Sequence, residues 1–299
     1  MGWKKLFGKK NTPEAGNEPG TIADPADMKV VIVTDLGNIR TNNEDTGLYF
    51  RVSDQRVERE KGGLMMVADG MGGHAAGEIA SKMAADTITR EYFKNGTAGT
   101  IEKNLLKVFS AANKNIFDAA SSNPVLKGMG TTCTALVVVN SQVYYAHVGD
   151  SRAYVIKAHN IAQITTDHTH VQDLVKAGAI TPDEAAVHPQ RNILTNAMGT
   201  KPQVQADTGK CDFLFEAGDK LLLCSDGLYD YLEDAEILAI VNSNCTQEAA
   251  EALVAEAKKR GGHDNITVVL AAKTPVAVTP VSKKTRDFII PVTREIDLP

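Results

Sequence analysis

Leu64–Gly77 reads LMMVADGMGGHAAG. Its first five residues, Leu64 to Ala68, form an apolar run whose length and composition predict a buried strand. The strand delivers a carboxylate, Asp69, and Gly70, Gly72, Gly73 and Gly77 follow closely, a glycine density that lets backbone approach a neighbour or ligand. A helical pattern then begins, with Ile79, Ala80, Met83, Ala84 and Ile88 on one face. An acid on a rigid strand end, backed by a glycine turn, suits an oxygen ligand for a hard cation. A lone Asp-Gly marks an ordinary turn, so the reading depends on recurrence.

The device recurs. Val30–Val33 leads to Asp35, Tyr144–Val148 to Gly149-Asp150, and Leu221–Cys224 to Ser225-Asp226. The last strand, Ile266–Ala271, inverts the order, with Asp264-Asn265 in front of it. An antiparallel neighbour running the other way brings its first residues to the edge where the others end. Taken singly, each acid is a turn residue or helix cap. Gathered on one edge, they would repel one another unless a cation sat among them. With carboxylates and glycine carbonyls but no His/Cys cluster, the donor set suits Mg2+ or Mn2+ rather than zinc. Two such ions, about 3.5–4 Å apart and bridged by one Asp, would hold a hydroxide suited to attack a phosphoryl group. Arg40 then reads as a planar fork for two phosphate oxygens. The plainer alternative for Arg40 is a surface arginine paired to the adjacent Glu44-Asp45.

The rest of the chain supplies a frame for that edge. Short strands are expected at Leu48–Val52, Thr131–Val139, Gln142–Val148, Ala153–Ile156 and Ile161–Ile164, with hairpin turns at Asn140-Ser141 and His159-Asn160. Connections this short exclude helical crossovers. Helices are expected at 77–93, 101–120, 235–241 and 247–260. Residues 167–200, with helical patterns at Val171–Ala177 and Pro182–Ala186, read as a flap over a site. Residues 1–27 read as a basic tip and linker, 28–272 as one catalytic domain, and 273–299 as an extended tail. The tip, MGWKKLFGKK, fits a peripheral contact with an anionic membrane or a partner, though a disordered start is the favoured reading.

Composition narrows the classes. A net charge of −5 over 299 residues does not advertise nucleic-acid binding. No run approaches the roughly 18 apolar residues that span a bilayer, and no signal-peptide core follows the first lysines, which favours the cytoplasm. The four cysteines, Cys133, Cys211, Cys224 and Cys245, form no CxxC pair and read as reduced structural thiols.

Seven segments taken in order resemble the metal-dependent (type 2C) protein serine/threonine phosphatases, in their bacterial branch. They are Thr34-Asp35-Leu36-Gly37 with Arg40-Thr41-Asn42-Asn43-Glu44-Asp45; Val67-Ala68-Asp69-Gly70-Met71-Gly72-Gly73-His74; Gly128-Met129-Gly130-Thr131-Thr132; Gly149-Asp150-Ser151-Arg152; His188-Pro189-Gln190-Arg191; Cys224-Ser225-Asp226-Gly227-Leu228; and Asp264-Asn265-Ile266-Thr267. The resemblance implies an α+β fold, a central sandwich of two antiparallel sheets flanked on both outer faces by helices. By the same resemblance, Asp69 looks like the acid that bridges two metals. Asp226 and Asp264 resemble the other carboxylates of the first metal, and the Gly70 carbonyl a ligand of the second. Glu44 and Asp45 are similar to acids that hold metal-bound water, and Arg40 to the phosphate-binding arginine. Asp150, with Asp226, resembles the site of a third ion, toward which Asn192 stands where bacterial members often carry a flap ligand. The implied partners are phosphoserine- and phosphothreonine-bearing proteins, together with an opposing serine/threonine kinase.

One position departs from the wider family. Met71 stands where some members carry a histidine that looks like the general acid, and His74, His188 and His263 are not expected to replace it. Two other readings make different demands on the sequence. A non-catalytic phosphoprotein-binding relative would lack one of Asp69, Asp226 and Asp264, and a two-metal nuclease would need a basic groove.

Overall fold

The computed structural model describes residues 20–23, 28–72, 76–94 and 99–274. Its strands are β1 (Gly20–Ala23), β2 (Met28–Asp35), β3 (Asp45–Phe50), β4 (Gly63–Met71), β5 (Gly130–Thr131), β6 (Cys133–Val139), β7 (Gln142–Val148), β8 (Arg152–Lys157), β9 (Asn160–Gln163), β10 (Asp207–Leu214), β11 (Lys220–Cys224) and β12 (Ile266–Lys273). The helices are α1 (Gln55–Lys61), α2 (Ala76–Phe93), α3 (Ile101–Ser122), α4 (His170–Lys176), α5 (Pro182–Ala186), α6 (Asp226–Tyr229), α7 (Asp234–Ser243) and α8 (Thr246–Arg260).

One sheet runs β1-β2-β12-β11-β8-β9 and the other β10-β7-β6-β4-β3, with β5 beside β4. Every pairing is antiparallel. The apolar run of β4 is continuous because both of its faces are covered. Leu64 and Met66 pack with α2 and α3, while Met65 and Val67 pack into the layer between the sheets. In the other sheet Val268 and Leu270 lie against α7 and α8, while Val269 and Ala271 face inward. The result is the expected four-layer α+β sandwich.

The sequence reading and the structure part at several places. Gly20–Ala23, expected in the linker, pairs with β2, Gly20 opposite Ile32. Two stretches without a strong period also form elements: α1, capped by the Asp54 side chain and burying no residue, and the edge strand β10. The second hairpin turns at Ala158-His159 rather than His159-Asn160, since Lys157 pairs with Asn160 and Ala158 has φ 45°. The first hairpin stands as expected, with positive φ at both Asn140 (48°) and Ser141 (68°), the backbone of a type I′ turn. Ile79, expected on the buried face of α2, is exposed, because Ala76, Ala80, Ala84 and Ile88 make that face. All four cysteines are free thiols, three of them buried. Residues 1–19, His74 and the tail beyond 274 lie outside the described residues. Among the described residues no helix is long and apolar enough to cross a membrane.

Antiparallel pairing brings the key strand ends to one pole. Asp45 opens β3 in register with Asp69 of β4, and Ile266 opens β12 in register with Asp35 of β2. Cys224 ends β11 opposite Arg152, where β8 begins.

Candidate metal centre

Asp69 is fixed by its backbone. Its N–H donates to Thr132 Oγ1 at 2.9 Å, and its carbonyl accepts from Thr132 N at 2.8 Å and Thr131 Oγ1 at 2.9 Å. Thr132 Oγ1 is also 2.7 Å from Ser151 Oγ, which joins the β4–β6 side to the residue after Asp150. Gly70 has no room for a side chain, since a Cβ there would lie 2.1 Å from the Gly77 carbonyl oxygen and 2.6 Å from that of Glu44. That close approach holds the start of α2 against the end of β4 and accounts for Gly70 and Gly77.

A cluster of acids interacts electrostatically at this pole. Burial, then the charges of Asp45, Asp226, Asp150 and Asp264, push the Asp69 carboxyl well above the usual carboxylate range. Asp226 is raised in the same way by burial and by Asp150, Asp264, Asp230 and Asp45. Burial lifts Asp45 to about 6 even though Ser225 and Thr267 hydrogen-bond to it. Burial and the neighbouring Asp167 lift Asp150 to about 7. Two oxygens in this group, Asp45 Oδ1 and Asp226 Oδ1, are buried without a hydrogen-bond partner. Native proteins rarely leave such atoms unpaired away from a functional site.

The surroundings hold the acids in place. Arg152 reaches Asp167 at 2.7 Å and stacks 3.6 Å from the centre of the Tyr229 ring. The Tyr229 hydroxyl in turn donates to the Asp150 carbonyl at 3.1 Å. Glu44 donates its backbone N–H to Asn265 Oδ1 at 2.8 Å and accepts Gly70 N at 3.1 Å. Its carboxyl is raised chiefly by burial.

Not every candidate joins the group. Asp35 turns away to pair with Lys258 of α8 at 2.9 Å, so the expected edge of five strand-end acids is reached without it. Arg40 pairs not with Glu44-Asp45 but with Asp264, Nη2 to Oδ2 at 2.6 Å. Asn192 is exposed, and it is its neighbour Arg191 that reaches toward the acids, 3.6 Å from Asp230. His263 is exposed and bonded to Tyr231, and His188 accepts Gln190 N at 3.1 Å. The base of the flap is tied down: His170 N bonds the Ile193 carbonyl at 2.8 Å, and His168 meets Asp207 at 3.2 Å. Sequence reasoning missed Ser225, Thr132, Thr267, Asp167 and Asp230 as members of this network. Ser225 and Thr132 stood inside the quoted segments, and Asp230 lies one helical turn beyond Asp226.

These residues fit a hard divalent cation. The donors are oxygens throughout, the acids raise one another's pKa, and two buried carboxylate oxygens have no other partner. Among the described residues no three such side chains close around a single point. Arg40 takes up Asp264 instead.

Comparison with known proteins shows the family. The family model described as Protein phosphatase 2C matches residues 42–260. The chain is 40% identical over 244 residues to the Serine/threonine phosphatase stp of Listeria monocytogenes, covering 80% of this chain and 94% of that protein. It is 38% identical over 248 residues to Protein phosphatase PhpP of Streptococcus pneumoniae, covering 82% and 97%. The S. agalactiae serine/threonine phosphatase structure superposes with a TM-score of 0.74 at 36% identity, covering 82% of this chain and 99% of that one. The catalytic domain of PstP, solved in complex with two manganese ions, gives 0.69 at 33% identity, covering 83% and 99%. The chain belongs to the protein phosphatase 2C family, and with it to the hydrolases.

Proposed function

We propose that this chain is a Mn2+- or Mg2+-dependent phosphatase that releases phosphate from phosphoserine and phosphothreonine in proteins, opposing a serine/threonine kinase. The observation that carries the reading is the group of buried acids, Asp69, Asp226, Asp45 and Asp150, raised by burial and by neighbouring acids, with two of their oxygens unpaired. Support for the substrate class comes from relatives named serine/threonine phosphatases, and support for manganese from the neighbour solved with that ion.

In this reading Asp69, Asp226, Asp264 and the Gly70 carbonyl would hold two ions, and Asp150 with Asp226 would offer a place for a third. When bound, such ions lower the pKa of water to supply a nucleophile at neutral pH and balance charge on the phosphoryl oxygens. Arg40 binds two phosphate oxygens through its planar fork. Its side chain is 53% exposed and that of Asp264 36%, so the pair between them is weak enough to exchange for a phosphate. Thr131 and Thr132 keep Asp69 in place from the backbone side. Met71 has no proton to give to the leaving serine or threonine oxygen.

The test is turnover of a phosphothreonine peptide by the full chain. The reading requires release of phosphate with Mn2+, its loss in EDTA, and its return when Mn2+ is restored. Turnover indifferent to EDTA, or none with either ion, contradicts it.

A further inference from the structure

We propose that Ser225 is a positioning residue that holds Asp45 across the gap between the two sheets, and through Asp45 sets the affinity of the acidic site for divalent ions. The proposal rests on the metal reading above.

Ser225 occupies the N-cap of α6, where a serine ordinarily turns its oxygen to the first free N–H groups of its helix. Here its side chain makes no cap hydrogen bond. The hydroxyl instead accepts Thr267 N at 3.0 Å and sits 2.7 Å from Asp45 Oδ2. A backbone N–H can only donate, so the single hydroxyl proton of Ser225 goes to Asp45. The link joins residues 180 positions apart, one at the end of β11 and the other on β3 of the opposite sheet. Ser225 is fully buried, so solvent does not stand in for it.

The consequence falls on the geometry of Asp45. One carboxylate oxygen, Oδ2, is claimed by Ser225, while the other, Oδ1, is buried and unpartnered. Asp45 is the register partner of Asp69, so a carboxylate fixed by one oxygen presents the other beside the acid at the centre of the group. A second arm supports the first, because Asn43 Nδ2 donates to Thr34 Oγ1 at 2.9 Å, and Thr34 Oγ1 is 2.8 Å from Thr267 Oγ1. Groups behind a metal's ligands govern its affinity, and Asp45 stands in that place beside Asp69, with Ser225 fixing it from behind.

The experiment is a double-mutant cycle read by calorimetric titration of Mn2+ into the metal-free full chain. Ser225→Ala is expected to weaken Mn2+ binding by about 10–100-fold, and Asp45→Ala by at least as much. The double variant is expected to bind no worse than Asp45→Ala, because Ser225 acts only through Asp45. Equal losses from Ser225→Ala in both backgrounds, or an unchanged affinity in the single variant, overturn the proposal. If Ser225→Ala does not fold, Ser225→Cys replaces it in the same cycle, since a thiol keeps a similar shape but donates weakly. Wild-type affinity in Ser225→Cys then overturns the proposal. A wild-type chain that takes up no Mn2+ overturns the metal reading itself, whereas wild-type binding untouched by the Ser225 variants overturns only the role of Ser225.

Discussion

Asp69 and Asp226 are held where their charges disfavour one another, which gives substitutions there two effects of opposite sign. Asp69→Asn and Asp226→Asn are expected to cut turnover by roughly two orders of magnitude or more, because outer and inner metal partners each govern ion affinity. The same changes remove a repelling charge from the metal-free protein, so its Tm is expected to rise. A fall in Tm would mean that the acids do not repel at this pole. Arg40→Ala is expected chiefly to raise KM for phosphopeptides, with kcat less affected, since in the proposed site Arg40 meets phosphate in ground and transition states alike. Its exposed pair with Asp264 is worth little, so thermal unfolding is expected to stay within about 0.5 kcal/mol of wild type. Unaltered kinetics would remove Arg40 from the phosphate site. Much of this residue-level picture was legible in the sequence, because Asp69, Asp226 and Asp264 sit beside strands with a strong apolar signal. The hydroxyls were not, since Ser225, Thr132 and Thr267 act through contacts up to 233 positions away. Asp35 misled for the same reason, as Lys258 lies 223 positions away.

The buried elements were readable because burial imposes a continuous apolar run on β4, β6, β11 and β12 and a helical period on α3. Those without such a pattern were not. α1 buries no residue and depends on the Asp54 cap, while β10 is an edge strand with a shifted register between Lys210 and Leu214. Holding a weakly patterned segment in place takes polar contacts, and Asn113 of α3 provides them. Its Oδ1 accepts Gly199 N at 2.8 Å, and its Nδ2 donates to the carbonyls of Lys201 at 3.1 Å and Pro202 at 3.2 Å. Asn113 is buried, so Asn113→Ala leaves these groups unsatisfied and is expected to cost about 2–4 kcal/mol in urea unfolding. A loss below about 0.5 kcal/mol would show that the 199–202 segment is held by other means.

For the whole molecule, the acids at the pole make stability depend on pH and on the ion together. An Asp whose folded pKa lies above its unfolded value of about 3.9 stabilises the protein while protonated, and that stability is lost as pH rises toward the folded pKa. Asp45 at about 6, Asp150 at about 7, and Asp69 and Asp226 raised well above the usual range all act in this direction. His147 acts oppositely: burial lowers it to about 3, so its contribution is complete above about pH 6.5 and fades below. Between about pH 6.5 and 8, therefore, with the Asp45 contribution already lost, Asp150, Asp69 and Asp226 alone act among these groups, and the metal-free protein is expected to lose Tm as pH rises. Added Mn2+ is expected to restore more at pH 8 than at pH 6.5, because bound ions favour ionised carboxylates. A Tm of the metal-free protein that holds or rises across that window would contradict the raised acids.

The most direct measurement is an anomalous-difference map at the manganese edge from crystals of the full chain grown with Mn2+. The account predicts two manganese peaks that share the Asp69 carboxylate, with Asp226 and Asp264 on one of them. Manganese bound only away from Asp69, or Asp69 and Asp226 without an ion between them, would contradict it.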